Sequence, residues 1–345
     1  MNEASHGPRR MGFREGGWVV LLAALLTTAV LAWALWGVFA GRSTRGDGRT
    51  VESYGFDLSG LRTDGGSLVA SGQPRDFLQP LDEPGVMPGH EMLAYNAARR
   101  GKYVVSGDRV VGVVLDGVAR AYPVRLLNAH EVINDTVAGV PIAVTFSPLC
   151  DAAVAFDRRV AGRTISFGVS GLLLDNNLVM YDQGDRPSLW SQLGAVAIAG
   201  PMAGTPLRML PEVQVCTWKH WLATHPGTEV VLPGPDDDRR MKGLSYSRYL
   251  LSPRLEFPAA RWTDSTGLAA KTPVIVLRHG DAAVELPLQD AAAGMTPFRL
   301  GEATVEVDAQ AQPASVLFRT QDGSPLLVLN CLHFARVCFR IPPTT

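Results

Sequence analysis

The chain has 345 residues, 46% of them hydrophobic and 19% charged, with 32 Lys and Arg against 33 Asp and Glu. At roughly 100–200 residues per domain, the length supports two domains with real cores. A formal net charge of −1 excludes a generally basic surface, and with it nucleic acid as an expected partner. Thirty-five glycines and 24 prolines favour a mainly β, turn-rich α+β body over a helical bundle.

Residues 1–17 read as a tail ahead of an apolar segment. The run 18–40 (WVVLLAALLTTAVLAWALWGVFA) is uncharged and long enough to cross about 30 Å of hydrocarbon as a transmembrane helix. Trp18, Trp33 and Trp36 lie near its ends, where indole rings prefer the headgroup level. The rival reading is a signal peptide cut after Val38-Phe39-Ala40, although the apolar core of such a peptide is usually shorter, about 7–15 residues. Arg9, Arg10 and Arg14 before the run balance Arg42, Arg45 and Arg49 after it, so local charge does not set the orientation. A signal anchor near the N-terminus usually exports the body behind it. The expected arrangement is therefore a single-pass inner-membrane protein with a cytosolic N-terminus, the lipid bilayer as partner, and an extracytoplasmic body. Residues 41–70, opening GRSTRGDGR, read as a stalk.

A first β-rich unit is expected over 71–232. Val110–Leu115 and Val118–Tyr122 flank Asp116-Gly117, a strong tight-hairpin signal. Pro123 suits the start of a short helix. Residues 140–146 (VPIAVTF) read as a buried strand, and Val154–Phe156 with Thr164–Phe167 as a hairpin around Gly162. Asp175-Asn176-Asn177 turns the chain into Leu178–Tyr181. A helix is expected from about Val215 to His225, stopping at Pro226-Gly227, with Trp218, Trp221, Leu222 and His225 on one face. Residues 233–273, rich in proline and charge, read as a linker to a second, shortened unit over 274–345.

The two units look related. Val113–Gly117 with Pro123 resembles Ile275–Gly280 with Pro287. Gly139, Ala152, Val154 and Phe156 match Gly301, Ala314, Val316 and Phe318 at one constant offset. Pro226 and Thr228 correspond to Pro342 and Thr344. The second unit reads as a degenerate copy: Gln312 stands opposite Cys150, and nothing matches the string His130-Glu131-Val132-Ile133-Asn134-Asp135. Chemistry is therefore expected in the first unit.

Several strings there, among them ARAYPVRLLNAHEVINDTVAGVPIAVTFSPLC, AFDRRVAGRTISFGVSG, SLWSQLGAVAIAGPMAGTPLRMLP and SPRLEFP, resemble the domain of unknown function 3179 family from about Arg75 onward. The resemblance implies no established activity, cofactor or catalytic residue. It does imply Cys-Pro-Leu-Cys where this chain reads Ser147-Pro148-Leu149-Cys150, often followed by a small residue where this chain has Asp151. With Ser147 in place of a thiol, a redox dithiol is not expected.

One expectation is a ligand-binding site lined by His130, Glu131, Asn134, Asp135, Ser147, Cys150 and Asp151. A transition metal, copper or zinc, could be held by Cys150 and His130 with His225. A second expectation is an enzyme with Cys150 as nucleophile and His130 or Glu131 as its acid–base partner. An envelope scaffold without a small-molecule site is the third. His130-Glu131-x-x-Asn134 fails the zinc-hydrolase pattern for want of a second imidazole, and Gly168-Val169-Ser170-Gly171-Leu172 fails the nucleophile elbow at its last position. Cys150, Cys216, Cys331 and Cys338 allow three disulfide pairings, while buried structural roles compete for each.

Overall fold

The computed structural model describes residues 17–39, 45–63, 65–99, 101–211, 213–263 and 267–341, without the side chains of 33–39. It forms two units, Met1–Arg45 and Gly46–Thr345. The expected tail, the arginines at 9, 10, 14 and 42, and the repeat landmarks Pro342 and Thr344 lie outside the described residues.

The first unit is a helix, Gly17–Phe39, with no acidic residue in its first turn and no basic residue in its last. Val20, Leu25, Leu26 and Val30 are exposed on it. Thr27 and Thr28 turn their hydroxyls back to the carbonyls of Ala23 and Ala24, each at 2.8 Å. Among the described residues, no helix is long and apolar enough to cross a membrane.

The second unit is mainly β with some helices. Strands Arg109–Leu115 and Val118–Pro123 pair through Leu115↔Val118. Asp116 (φ +48) and Gly117 (φ +80) supply the two positive-φ residues that a two-residue turn between twisted strands requires. Pro123 caps helix Val124–His130 and is not its first residue. A meander comes next: Val132–Val137, Val140–Ser147 and Ala152–Asp157, each antiparallel to the last. Asn134 and Asp135 are therefore strand residues, and the turn falls at Ala138-Gly139 (φ +49 and +76).

The hairpin expected between Val154–Phe156 and Thr164–Phe167 does not form. Only Arg159–Val160 and Arg163–Thr164 pair around Gly162, because Ala152–Asp157 is already bonded along the meander. Phe167–Leu174 instead joins Asn177–Asp182 in a second sheet with Leu68–Ala70, Leu189–Ser191 and Val196–Ala199. The helix expected from Val215 starts only at Trp218. Val213–Thr217 is a strand paired with Arg109–Val113, and Thr217 caps the helix by accepting the His220 N–H. Trp221 is fully buried, and a Cβ on Gly112 would meet its ring at 2.2–2.4 Å, so the strand under this helix needs glycine at that point.

The later part repeats this order. Pro273–His279 and Ala282–Pro287 form a hairpin, Pro287 caps helix Leu288–Ala292, and Phe298–Leu300, Ala303–Ala311 and Ala314–Thr320 form a meander. Leu327–Leu332 then returns beside Pro273–Arg278 and leads into helix His333–Cys338, as Val213–Thr217 does in the earlier part. The two parts are interlocked. Leu327–Leu332 bridges to Ala152–Asp157 through Asn330↔Ala153, completing a seven-stranded sheet drawn from both. Reciprocally, the Gln214 amide donates to the Phe318 carbonyl at 2.9 Å and accepts the Phe318 N–H at 2.7 Å.

Residues 233–273 are no open linker. They carry helices Asp237–Gly243 and Ser247–Leu251, and Met241, Leu244, Leu250 and Trp262 pack on the cores. Apolar side chains within a polar composition make the segment a wall.

Candidate functional site

Helix Val124–His130 must hand the chain at once to strand Val132–Val137, leaving one residue to change direction. That residue is Glu131, at φ +57 and ψ −27. The left-handed region costs a residue with a Cβ about 1–2 kcal/mol. Its N–H donates to the Leu127 carbonyl at 2.6 Å, and its carbonyl accepts the Phe146 N–H at 2.8 Å, so the backbone is held at both sides. Glu131 is only 8% exposed. Among the described residues its carboxyl finds no hydrogen-bond partner, and it faces a cavity of about 470 Å³. Burial pushes its pKa up to about 8, so the group keeps its proton at neutral pH.

The other walls come from distant segments. Ser147, Pro148 and Leu149 form one side and Val169, Gly171, Leu172 and Leu173 another, while Leu244, Tyr246, Tyr249, Glu256 and Phe257 close the cavity from residues 233–273. The Tyr249 hydroxyl donates to the Leu149 carbonyl at 2.9 Å. Lys271 Nζ lies 3.3 Å from the Tyr249 ring centre and donates to the Tyr249 carbonyl at 2.6 Å, fixing that wall. Burial, with the Glu131 carboxyl adding to it, raises the Tyr246 phenol.

The expected cysteine and histidine chemistry does not assemble. Cys150 is fully buried in an apolar cluster with Phe334, Cys331 and Cys338. Burial pushes its thiol well above the ordinary range, outweighing hydrogen bonds from Asn177 and Ser147. An attacking cysteine needs access and a stabilised thiolate; Cys150 is fully buried and its thiol is held protonated by that burial. His130 uses Nδ1 on the Gln79 carbonyl at 2.6 Å, and its Nε2 faces the buried Asp237 carboxylate at 3.1 Å. His225 comes directly after helix Trp218–Thr224 and lies with its ring 4.1 Å from that of Trp221; burial lowers its pKa. Cys150, His130 and His225 thus answer to separate partners. Among the described residues, no group of three or more His, Cys, Asp or Glu side chains is placed to hold a metal ion. All four cysteines are buried and unbridged.

The remaining expected ligand residues act as braces. The Asn134 amide donates to Asp82 and to the Phe167 carbonyl at 2.7 and 2.9 Å, and its oxygen accepts the Phe167 N–H at 3.0 Å. Asp135 accepts from Arg120 at 2.8 Å and from the Tyr122 hydroxyl at 2.7 Å. Asp151 takes a two-pronged bond from Arg109 at 2.9 and 3.0 Å, a geometry that fixes direction as well as charge. Ser147 accepts the Leu178 N–H at 3.2 Å while lining the cavity.

One constellation escapes any reading of the sequence. Ser315 Oγ lies 2.8 Å from His220 Nδ1, and His220 Nε2 lies 3.1 Å from Asp308. The order matches a hydrolytic triad, but the environments are inverted. Ser315 is 1% exposed and already accepts the Thr217 N–H at 3.0 Å, whereas the Asp308 side chain is 61% exposed. A serine with no path to substrate cannot attack one, so the trio pins the two interlocked parts together.

Fold and site together define a mainly β body with some helices and a mostly apolar cavity whose lining carries two glutamates, Glu131 and Glu256. The family model described as "Protein of unknown function (DUF3179)" matches residues 90–332, and the chain belongs to that family. No curated protein and no solved structure matches it.

Of the cavity residues, Glu131 and Ser147 were singled out from the sequence; Tyr246, Tyr249 and Phe257 were not. Their signal was present as three aromatic rings within a stretch otherwise rich in Pro, Asp and Arg, a composition that a spacer has no reason to carry.

Proposed function

We propose that the chain is a membrane-tethered protein whose body binds a small, mostly apolar ligand bearing a hydrogen-bond acceptor such as a carbonyl oxygen. The tether reading is supported by the uncharged run 18–40 and by Thr27 and Thr28, whose hydroxyls are satisfied within their own helix. Inside hydrocarbon, polar groups must find partners in their own segment. The cytosolic N-terminus and extracytoplasmic body accord with the usual behaviour of an N-terminal anchor.

The ligand reading rests on one observation: Glu131, more than nine-tenths buried, faces the cavity without a partner among the described residues. An acceptor oxygen entering the cavity would give this cavity-lining carboxyl a hydrogen-bond partner. A protonated carboxyl donates one strong hydrogen bond and can also lend its proton to a developing oxyanion. The reading of Cys150, His130 and His225 as metal ligands is not carried forward, because their donors are already directed elsewhere.

The test uses the full chain in maltoside micelles, with cyclohexanone as probe and saturation-transfer NMR as readout. Wild type should transfer more strongly than Leu244→Trp, in which the indole fills the cavity. Equal transfer from both would remove the ligand reading.

A further inference from the structure

Away from Glu131, three arginines from three separate segments line one small cavity of about 160 Å³: Arg62, Arg261 and Arg340. Arg62 lies against Gly204, where a Cβ would come within 2.8 Å of its guanidinium. Arg261 stacks on Phe339 with its guanidinium carbon 4.4 Å from the ring centre, and its Nε bonds the buried Asp175 carboxylate at 2.5 Å. Arg340 leaves helix His333–Cys338 at φ +46, a left-handed position that re-aims the chain where it would otherwise continue.

The charges do not cancel. Asp175 answers Arg261, while Arg62 and Arg340 have no carboxylate partner among the described residues. Arg261 Nη2 is buried and has no hydrogen-bond partner among the described residues. A buried cationic donor with nothing to donate to, in a lining that two further arginines share, is an unfilled anion site in chemical terms. Ser191 adds a hydroxyl to the same lining. The volume suits a tetrahedral oxyanion with its hydration partly stripped, and guanidinium forks match phosphate oxygens in pairs.

We propose that this cavity binds a phosphate group, either as free inorganic phosphate or as the terminal phosphate of a lipid headgroup. The proposal is independent of the Glu131 reading. The test titrates full-length protein in phosphate-free maltoside with inorganic phosphate in one arm and short-chain phosphatidic acid in the other, read by calorimetry. Binding in either arm should weaken more than tenfold in Arg62→Ala/Arg340→Ala, both exposed positions away from the core, and should weaken with added salt. Tighter binding in one arm identifies the source of the phosphate. Absence of binding in both arms, or equal affinity in wild type and the double variant, overturns the proposal. Circular dichroism of the double variant, matching wild type, keeps a loss of affinity from being a loss of fold.

Discussion

Two short helices in this molecule solve the same problem in different ways. Val124–His130 and Leu288–Ala292 both come after a strand that ends in proline, and both must release the chain towards a meander. The later helix passes through Ala293 to Gly294 at φ +114, and the next strand begins only at Phe298. The earlier helix places Glu131 in the left-handed position and enters its strand one residue later. Where geometry alone is served, glycine stands; where a glutamate accepts the strain, it is aimed into a cavity. Backbone strain held by surrounding bonds is a frequent mark of function, and the contrast between the two helix exits isolates it here.

The contrast can be attacked most strongly through the strands after these helices. Phe298–Leu300 (FRL) carries no acidic residue, whereas Val132–Val137 buries Asp135 against Arg120. Asp135→Ala leaves Arg120 on Glu229 but takes the acceptor from Arg120 and from the buried Tyr122 hydroxyl, and should cost about 1–3 kcal/mol, measured by urea denaturation. A loss under about 1 kcal/mol would mean that the pair behaves like a surface contact.

Next comes pH. Folded Glu131 keeps its proton up to about 8, against an ordinary value of 4.5. Between those values the unfolded chain releases a proton that the folded chain retains, so this group's contribution to stability is full below 4.5 and declines until the pH passes 8. Glu131→Gln abolishes that titration. Its melting temperature should therefore gain on wild type as pH rises from about 5 to about 9, and a constant gap would mean that Glu131 is ionised like a surface carboxylate.

The smallest effect is also the sharpest. Glu131→Gly makes the earlier helix exit resemble the later one and should stabilise the protein by about 1 kcal/mol, while the cyclohexanone signal falls. A destabilised Gly variant would show that Glu131 is there for packing.

Local chemistry was legible in the sequence where it was self-contained. Asp116-Gly117 specified its turn because both positions need positive φ, and the apolar run at 140–146 specified its strand. Pro123 and Pro287 were legible as helix starts, and each caps the short helix that follows it. Partnership was not legible. Cys150 and His130 lie twenty residues apart in a promising string, yet Cys150 is sealed under Phe334 and Cys331, and His130 is claimed by Asp237 from a segment read as a linker. The same segment hid the cavity wall, since proline and charge masked Tyr246, Tyr249 and Phe257.

The bridge between Asn330 and Ala153 has a consequence for synthesis. The sheet begun at Val132 is completed by a strand that leaves the ribosome almost two hundred residues later. Non-local pairing of this kind is slow to form and leaves strand edges open meanwhile. Until Leu327–Leu332 is made, the edge of Ala152–Asp157 has no neighbour on that side, and truncation before Leu327 would leave that edge open to pairing with other chains.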